Sequence, residues 1–401
     1  VVEWSPDGDE HRIRDAMSIR GAAFVAGIYE HPRREIPDRT IWEIHAEVAL
    51  GALADAGLTL ADVDGVFCDG TSGFGTMTLC DHLGIRPRYV DNTETGGSSY
   101  LAHVGHAAAA IAAGKCSVAL VTLAGKPRSG GSGVSFAAGP ESSFESLWGI
   151  AGAPHTYALA ARRHMHEFGT TAEQLAEIKV AASIHAQHNP HAFLPYAVTV
   201  EDVVNSPMVA DPLHRLDCCV VTDGGGALVV VSPEVARSLG RTNAKVLGHG
   251  EAIKSTDNGR IDLTYTGAVW SGPRAFEEAR VSHKDIRYAS IYDSFTITVL
   301  QTIEDLGFCP KGEGGRFVSD GALVAPFGKL PFNTDGGGLC NNHPSNRGGI
   351  TKVIEAVRQL RGEAHPAVQV PDCQVALAHG TGGSLGTRHG SVTLILGQGD
   401  A

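Results

Sequence analysis

The sequence predicts an α/β protein assembled from two similar halves, and three observations carry that prediction. A helix–turn–strand series occurs twice: "ALADAGLTLADVDGVFCDG" early in the chain is answered by "AFEEARVSHKDIRYASIYDSF" later. A glycine-rich turn opens a helix twice. Thr95-Gly96-Gly97-Ser98-Ser99 precedes "YLAHVGHAAAAIAAG", and "NTDGGGLCNNHPSNRGG" precedes "ITKVIEAVRQLRG". Each half then closes on a glycine-rich hairpin, "VTDGGGALVVVS" near 221–232 and "ALAHGTGGSLGTRHGSVTLILG" near 376–397. Repeated α/β units imply a degenerate duplication, and 401 residues is more than one simple core requires.

Each element has a local reason. A polar arm spans residues 1–20, and "SIRGAAFVAGI" then reads as a strand. Residues 41–56 place apolar side chains at helical spacing. "DVDGVFCDG" is a short buried strand ended by turn residues. "YLAHVGHAAAAIAAG" is apolar on nearly every face, so it must be buried on every face, and Gly114 closes it before the strand "SVALVTLAG". Residues from about 126 to 215 have no counterpart in the second half. Their Gly, Ser and Pro runs and short helices such as "YALAARRHMHEFG" read as a loop or cap domain inserted over the site. The expected division is an arm over 1–20, a first half over 21–240 containing that insertion, and a second half over 241–401.

Composition narrows the function classes. Hydrophobic residues make up 43% and charged residues 19%, an ordinary globular balance. A net charge of −12 turns the chain away from nucleic acid and anionic membranes. No stretch approaches the ~20 apolar residues of a membrane span. The opening "VVEWSPDGDEHRIRDAMSIR" lacks the apolar core of a signal peptide, so a cytoplasmic location is expected. Eight cysteines are scattered without a CxxC pair, which predicts reduced, buried thiols and no metal site. The two glycine-rich turns admit two readings. Helix N-termini that converge suit a carbonyl oxygen gaining negative charge, while the same glycines also permit close helix packing.

A family resemblance enters with specific residues. "YDSFTITVLQTIEDLGFCPKGEGGRFV" (Tyr292 to Val318) closely resembles the sterol-carrier-protein branch of the thiolase superfamily, where a His-Asp-Cys-Phe motif precedes a similar run. "GGGLCNNHP" (Gly336 to Pro344) resembles the family's glycine-rich loop ending in Gly-His-Pro, and "HTYALAARRHMHEFGTT" and "AHGTGGSLG" match as well. The resemblance implies a thiolase fold: two βαβαβαββ halves in a five-layer α-β-α-β-α sandwich, with an inserted loop domain and a homodimer.

The departures point to the chemistry. Thiolases carry the acyl group on a cysteine at the start of the first buried helix, and the matching position here is Glu94. No cysteine lies between Cys80 and Cys116. The branch's acid/base cysteine is matched by Ser294, and in other thiolases it sits in the closing hairpin, matched here by His379. An alcohol does not easily replace a thiol as proton carrier. The remaining candidates are Tyr292, in the place of the motif's histidine; His343, matching the Gly-His-Pro histidine; His379; and Glu94, either a base or a carboxylate filling the cysteine's space. Asp293 is a candidate orienter. Ser294, Gly336, Gly337, Gly380, Gly382 and Gly383 are candidate lining residues, and Lys126 and Arg128 are weak candidates for coenzyme A phosphates.

This pattern resembles the thiolase-like aldolases that cleave side chains from β-hydroxyacyl-CoA esters in bacterial steroid degradation. They lack the cysteine pair and use tyrosine at the position of Tyr292, although they carry tyrosine where this chain keeps His343. The resemblance implies a lyase whose substrate contains coenzyme A, with no covalently bound cofactor. It also implies a small partner with an OB-fold and a zinc ribbon, any zinc belonging to that partner. Two other readings stay open: an acyltransferase with an atypical nucleophile, and a non-catalytic subunit of a larger complex.

Overall fold

A computed structural model describes residues 18–70, 74–130, 142–150, 152–344 and 348–399. Most of the arm expected at 1–20 and residues 131–141 of the insertion lie outside the described residues. Among the described residues, nine strands form one sheet in the order β3-β2-β4-β7-β1-β8-β11-β10-β9. These are β1 (Phe24–Glu30), β2 (Gly65–Phe67), β3 (Tyr89–Asp91), β4 (Val118–Gly125), β7 (Gly224–Val231), β8 (Asn243–Lys254), β9 (Tyr288–Ile291), β10 (Val375–Gly383) and β11 (His389–Gly399). β5 (Met208–Ala210) and β6 (Leu213–His214) form a separate hairpin.

With β3 set aside, the order reads alike from either end; beside β9 its place is taken by a single parallel bridge, Ala289↔Phe332. β2 runs parallel to β4 as β9 does to β10, and β4 is antiparallel to β7 as β10 is to β11. The halves meet where β1 and β8 pair at Phe24↔Lys245 and Val25↔Ala244. The duplicated connections even share their caps, Thr59 with Asp62 before β2 and Ser282 with Asp285 before β9.

Helix burial follows from apolar spacing. α1 (Ile41–Ala56) covers β1, β4 and β7 from outside, started by a Thr40–Glu43 capping box and ended at Gly57. α2 (Ser99–Ala112) and α8 (Gly349–Arg361) touch each other and strands of both halves, so they form the middle layer. α5 (Ala268–Ala279) covers β8 and β11 on the far side. The result is the expected α-β-α-β-α stack. Leu101, Val104, Val121, Val230, Ile354 and Leu394 share the middle core.

One expectation fails instructively. The segment near 221–232 is not a hairpin but the single strand β7, antiparallel to β4 with Gly125 opposite Gly224. Its glycines are there for close approach: a Cβ at Gly225 would stand 2.5 Å from the Leu123 carbonyl oxygen. The insertion therefore occupies the tip of the β4–β7 hairpin, where the second half has only residues 384–388.

That insertion, which includes α3 (Ala153–Phe168) and α4 (Ala172–Ala186), packs on the second half. α4 lies against α6 (Thr296–Asp305) and α7 (Gly337–Cys340). Tyr157, Ile178 and Leu213 share a core with Phe295, Leu300 and Leu339. A buried His164–Glu304 contact of 3.0 Å stitches the two. Among the described residues no helix is long and apolar enough to cross a membrane.

Candidate active site

The site forms where the middle helices begin. Tyr292 directly follows β9, its N–H donating to the His379 carbonyl at 2.9 Å and extending the β9–β10 ladder. Its ring lies over Gly97 in the turn before α2. A Cβ at Gly97 would sit 2.3 Å from the ring, so only glycine fits. His343 arrives from the loop after α7, and its Nε2 is 2.8 Å from the Tyr292 hydroxyl. The two rings meet edge to face at 5.5 Å.

Burial sets the charge state of this couple. It pushes His343 down to about 4; Lys352 adds to that shift, while Asp293 and a bond to the histidine's own backbone oppose it. Burial also holds the Tyr292 phenol well above its ordinary value, with Cys219, Tyr157 and Asp293 adding to it. Near neutral pH the pair is thus a neutral phenol facing a neutral imidazole. The Tyr292 hydroxyl and His343 Nε2 share one hydrogen bond of 2.8 Å, along which a proton can pass between phenol and ring.

The carboxylate of Asp293 accepts from the Gly338 N–H at 2.8 Å, the Leu339 N–H at 3.1 Å and Lys352 Nζ at 2.9 Å. It caps α7, the turn that leads to His343, as an orienter would. Ser294 Oγ meets Thr298 at 3.1 Å and also the Tyr157 hydroxyl. Tyr157 in turn donates to the Gly383 carbonyl at 3.1 Å and stacks on Phe295 with centroids 4.4 Å apart. Cys219 donates its N–H to the Ser294 carbonyl, and burial pushes its thiol well up. Tyr157 and Cys219 were not singled out from sequence. No spacing rule ties the inserted segment to the motif after β9.

Other candidates are placed differently. His379 and Gly380 project from opposite faces of β10, and a Cβ at Gly380 would meet Leu101 of α2 and Ser98 just before it. The His379 ring therefore points away from Tyr292, toward Thr393, which its Nδ1 meets at 2.9 Å. Glu94 is exposed, and its Oε1 accepts from the Gly96 N–H at 2.8 Å, closing the turn before α2.

The N–H groups of Gly336 and Gly337 donate to the Asn333 carbonyl and Asp335 Oδ1, so both are already used within their own turn. Gly382 lets β10 approach the Thr95 carbonyl, where a Cβ would be 1.8 Å away, and Gly383 has φ +82°. Lys126 Nζ holds the carbonyls of Pro37 and Arg39. Arg128 pairs with Glu35 at 3.2 Å and covers the Phe193 ring. Neither cation reaches the Tyr292 couple through any of these contacts. Among the described residues no cluster of three His, Cys, Asp or Glu is arranged to hold a metal.

A duplicated five-layer α/β sandwich, with a phenol–imidazole couple where its middle helices begin, is a thiolase-type scaffold. Residues 250–398 match the family model "Thiolase C-terminal domain-like". The chain is 33% identical over 373 residues to an acetyl-CoA acetyltransferase of Methanothermobacter thermautotrophicus, covering 90% of this chain and 97% of that protein. It is 34% identical over 362 residues to a steroid side-chain-cleaving aldolase of Thermomonospora curvata, covering 86% and 91%. Its structure resembles the Ltp2-ChsH2(DUF35) aldolase with a TM-score of 0.84 and 33% identity, over 95% of this chain and 98% of that one. The chain belongs to the thiolase superfamily, in its sterol-carrier-protein-like branch.

Proposed function

We propose that the protein is a thiolase-like aldolase that cleaves a β-hydroxyacyl-CoA by retro-aldol chemistry, giving a shortened acyl-CoA and an aldehyde or ketone. The carrying observation is the neutral Tyr292–His343 couple at 2.8 Å, standing at a turn that offers Glu94 where a thiolase has its cysteine. Retro-aldol cleavage needs no acyl-enzyme. The β-hydroxyl proton passes to the Tyr292 oxygen as the phenol proton moves to His343 Nε2. The Cα–Cβ electron pair then becomes a thioester enolate, Tyr292 gives the proton it took to the α-carbon, and His343 returns the phenol proton to Tyr292. The N-terminal ends of α2 and α8 face this place and favour the enolate's charge. Kinship with a steroid side-chain-cleaving aldolase supports a bulky, steroid-like acyl group, and the neighbour named as a DUF35 complex supports a small partner subunit.

A second reading, acyl transfer, is favoured by the kinship with an acetyl-CoA acetyltransferase; its nucleophile would have to be a thiol such as Cys219, which burial pushes up and so disfavours as a thiolate. Intact-protein mass after mixing with β-hydroxyacyl- and β-ketoacyl-CoA esters separates the two. The aldolase stays unmodified and turns over without free CoA. An acyl adduct on Cys219, with turnover that needs free CoA, would establish the transferase instead.

A further inference from the structure

His343 is held by residues of the first half. Its backbone N–H donates to Thr222 Oγ1 at 2.9 Å, and the same hydroxyl donates to Asn342 Oδ1 at 2.8 Å. Asn342 Nδ2 in turn donates to Glu30 Oε1 at 3.0 Å. That carboxylate oxygen also takes Asn341 Nδ2 at 3.1 Å and Arg34 at 2.8 Å. The Arg34 guanidinium grips the Asn341 side-chain oxygen at 2.7 Å and its carbonyl at 3.1 Å. Thr222 is fully enclosed, and the Glu30 and Arg34 side chains are only 5% and 7% exposed. A buried ion pair contributes little net stability but fixes geometry, because a displaced partner would leave a bare charge. Glu30 ends β1 and Thr222 lies just before β7, while residues 341–343 follow α7 in the other half.

We infer that Thr222 and the Glu30–Arg34 pair are positioning residues, which set the His343 ring against the Tyr292 hydroxyl and make the site depend on how the halves join. The inference rests on the aldolase reading only for its kinetic readout. Thr222→Val keeps the shape of the side chain and removes the hydroxyl; Thr222→Ser restores it. Two readouts are taken on the full chain with its partner: steady-state kinetics on a cleaved β-hydroxyacyl-CoA, and ring-15N histidine NMR, with the His343 signal assigned by its loss in His343→Asn. For Thr222→Val the expected result is a His343 signal shifted toward that of Tyr292→Phe, with kcat lowered by on the order of 10²-fold, KM little changed, and Thr222→Ser restoring both. An unmoved His343 signal in a folded Thr222→Val protein overturns the inference whatever reaction the enzyme runs. A moved signal with unchanged turnover upholds the positioning role and instead refutes the assignment of the couple to the chemistry. Arg34→Met, which retains bulk without charge, is expected to shift the same signal if Thr222→Val fails to fold.

Discussion

The proposed retro-aldol mechanism gives most of the chemistry to the phenol–imidazole couple, and substitutions around it have unequal expected effects. Tyr292→Phe is expected to lower kcat by ~10²-fold or more, the usual scale for a lost acid or base, with the melting temperature nearly unchanged. Glu94→Gln is expected to leave kcat within a few-fold, since an amide oxygen can still accept from Gly96. A loss near that of Tyr292→Phe would return Glu94 to the catalytic set. Burial holds His343 neutral down to about 4, so kcat/KM should stay flat from pH 8 to pH 5 and fall only as that histidine takes up a proton. An acid limb near pH 6.5 would mean an imidazole that burial has not shifted. At this scale the sequence was legible in its grouping of Tyr292, Asp293 and His343, which motifs name and which the fold makes neighbours. It was silent on side-chain direction. His379 lies in the right segment, yet strand alternation turns its ring to the other face of β10.

At the scale of elements, the glycines work by permitting contact. A Cβ at Gly349, the first residue of α8, would stand 1.7 Å from the Gly97 carbonyl oxygen, and backbone of that kind cannot yield cheaply. Gly349→Ala is expected to destabilise the fold by about 1–3 kcal/mol, read as a lower denaturant midpoint, and to depress activity by moving the turn under Tyr292. An unchanged midpoint would show that the two helix starts are not tightly seated. The helix–turn–strand repeats were readable because caps and periodicity are local, as the matching Thr59–Asp62 and Ser282–Asp285 pairs show. The strand at 224–231 was misread because three glycines in a row look like a turn from sequence. Its partners, β4 and β1, lie far away in the chain.

For the whole molecule, buried histidines make stability depend on pH. His103, His185, His249 and His343 are pushed down to about 4, and His379 and His389 to about 3, by burial in every case. Their folded values lie below those of the unfolded chain, so stability is full above pH 6.5 and is lost as pH falls toward 4. His106 has the opposite sign. Bonds to Asp91 and Glu251 raise it to about 9, giving stability that is present below pH 6.5 and lost as pH rises through 9. A melting series should fall by about 5 °C or more between pH 7 and pH 5.5, and His106→Gln should flatten only the alkaline side. A melting temperature that holds steady down to pH 5 would contradict the burial of these rings.

The duplicated α/β plan was legible because duplication repeats its own signals, while its five-layer stacking followed from the family resemblance. The packing of the insertion on the second half was not legible, since contacts such as His164–Glu304 span 140 residues and leave no local trace. The most direct test combines wild type and Tyr292→Phe, each with the proposed partner subunit, on a β-hydroxyacyl-CoA in the absence of free CoA. Wild type is expected to release a carbonyl compound and a shortened acyl-CoA in equal amounts while Tyr292→Phe releases almost none. Cleavage that strictly requires free CoA, or that survives in Tyr292→Phe, would contradict the proposed mechanism.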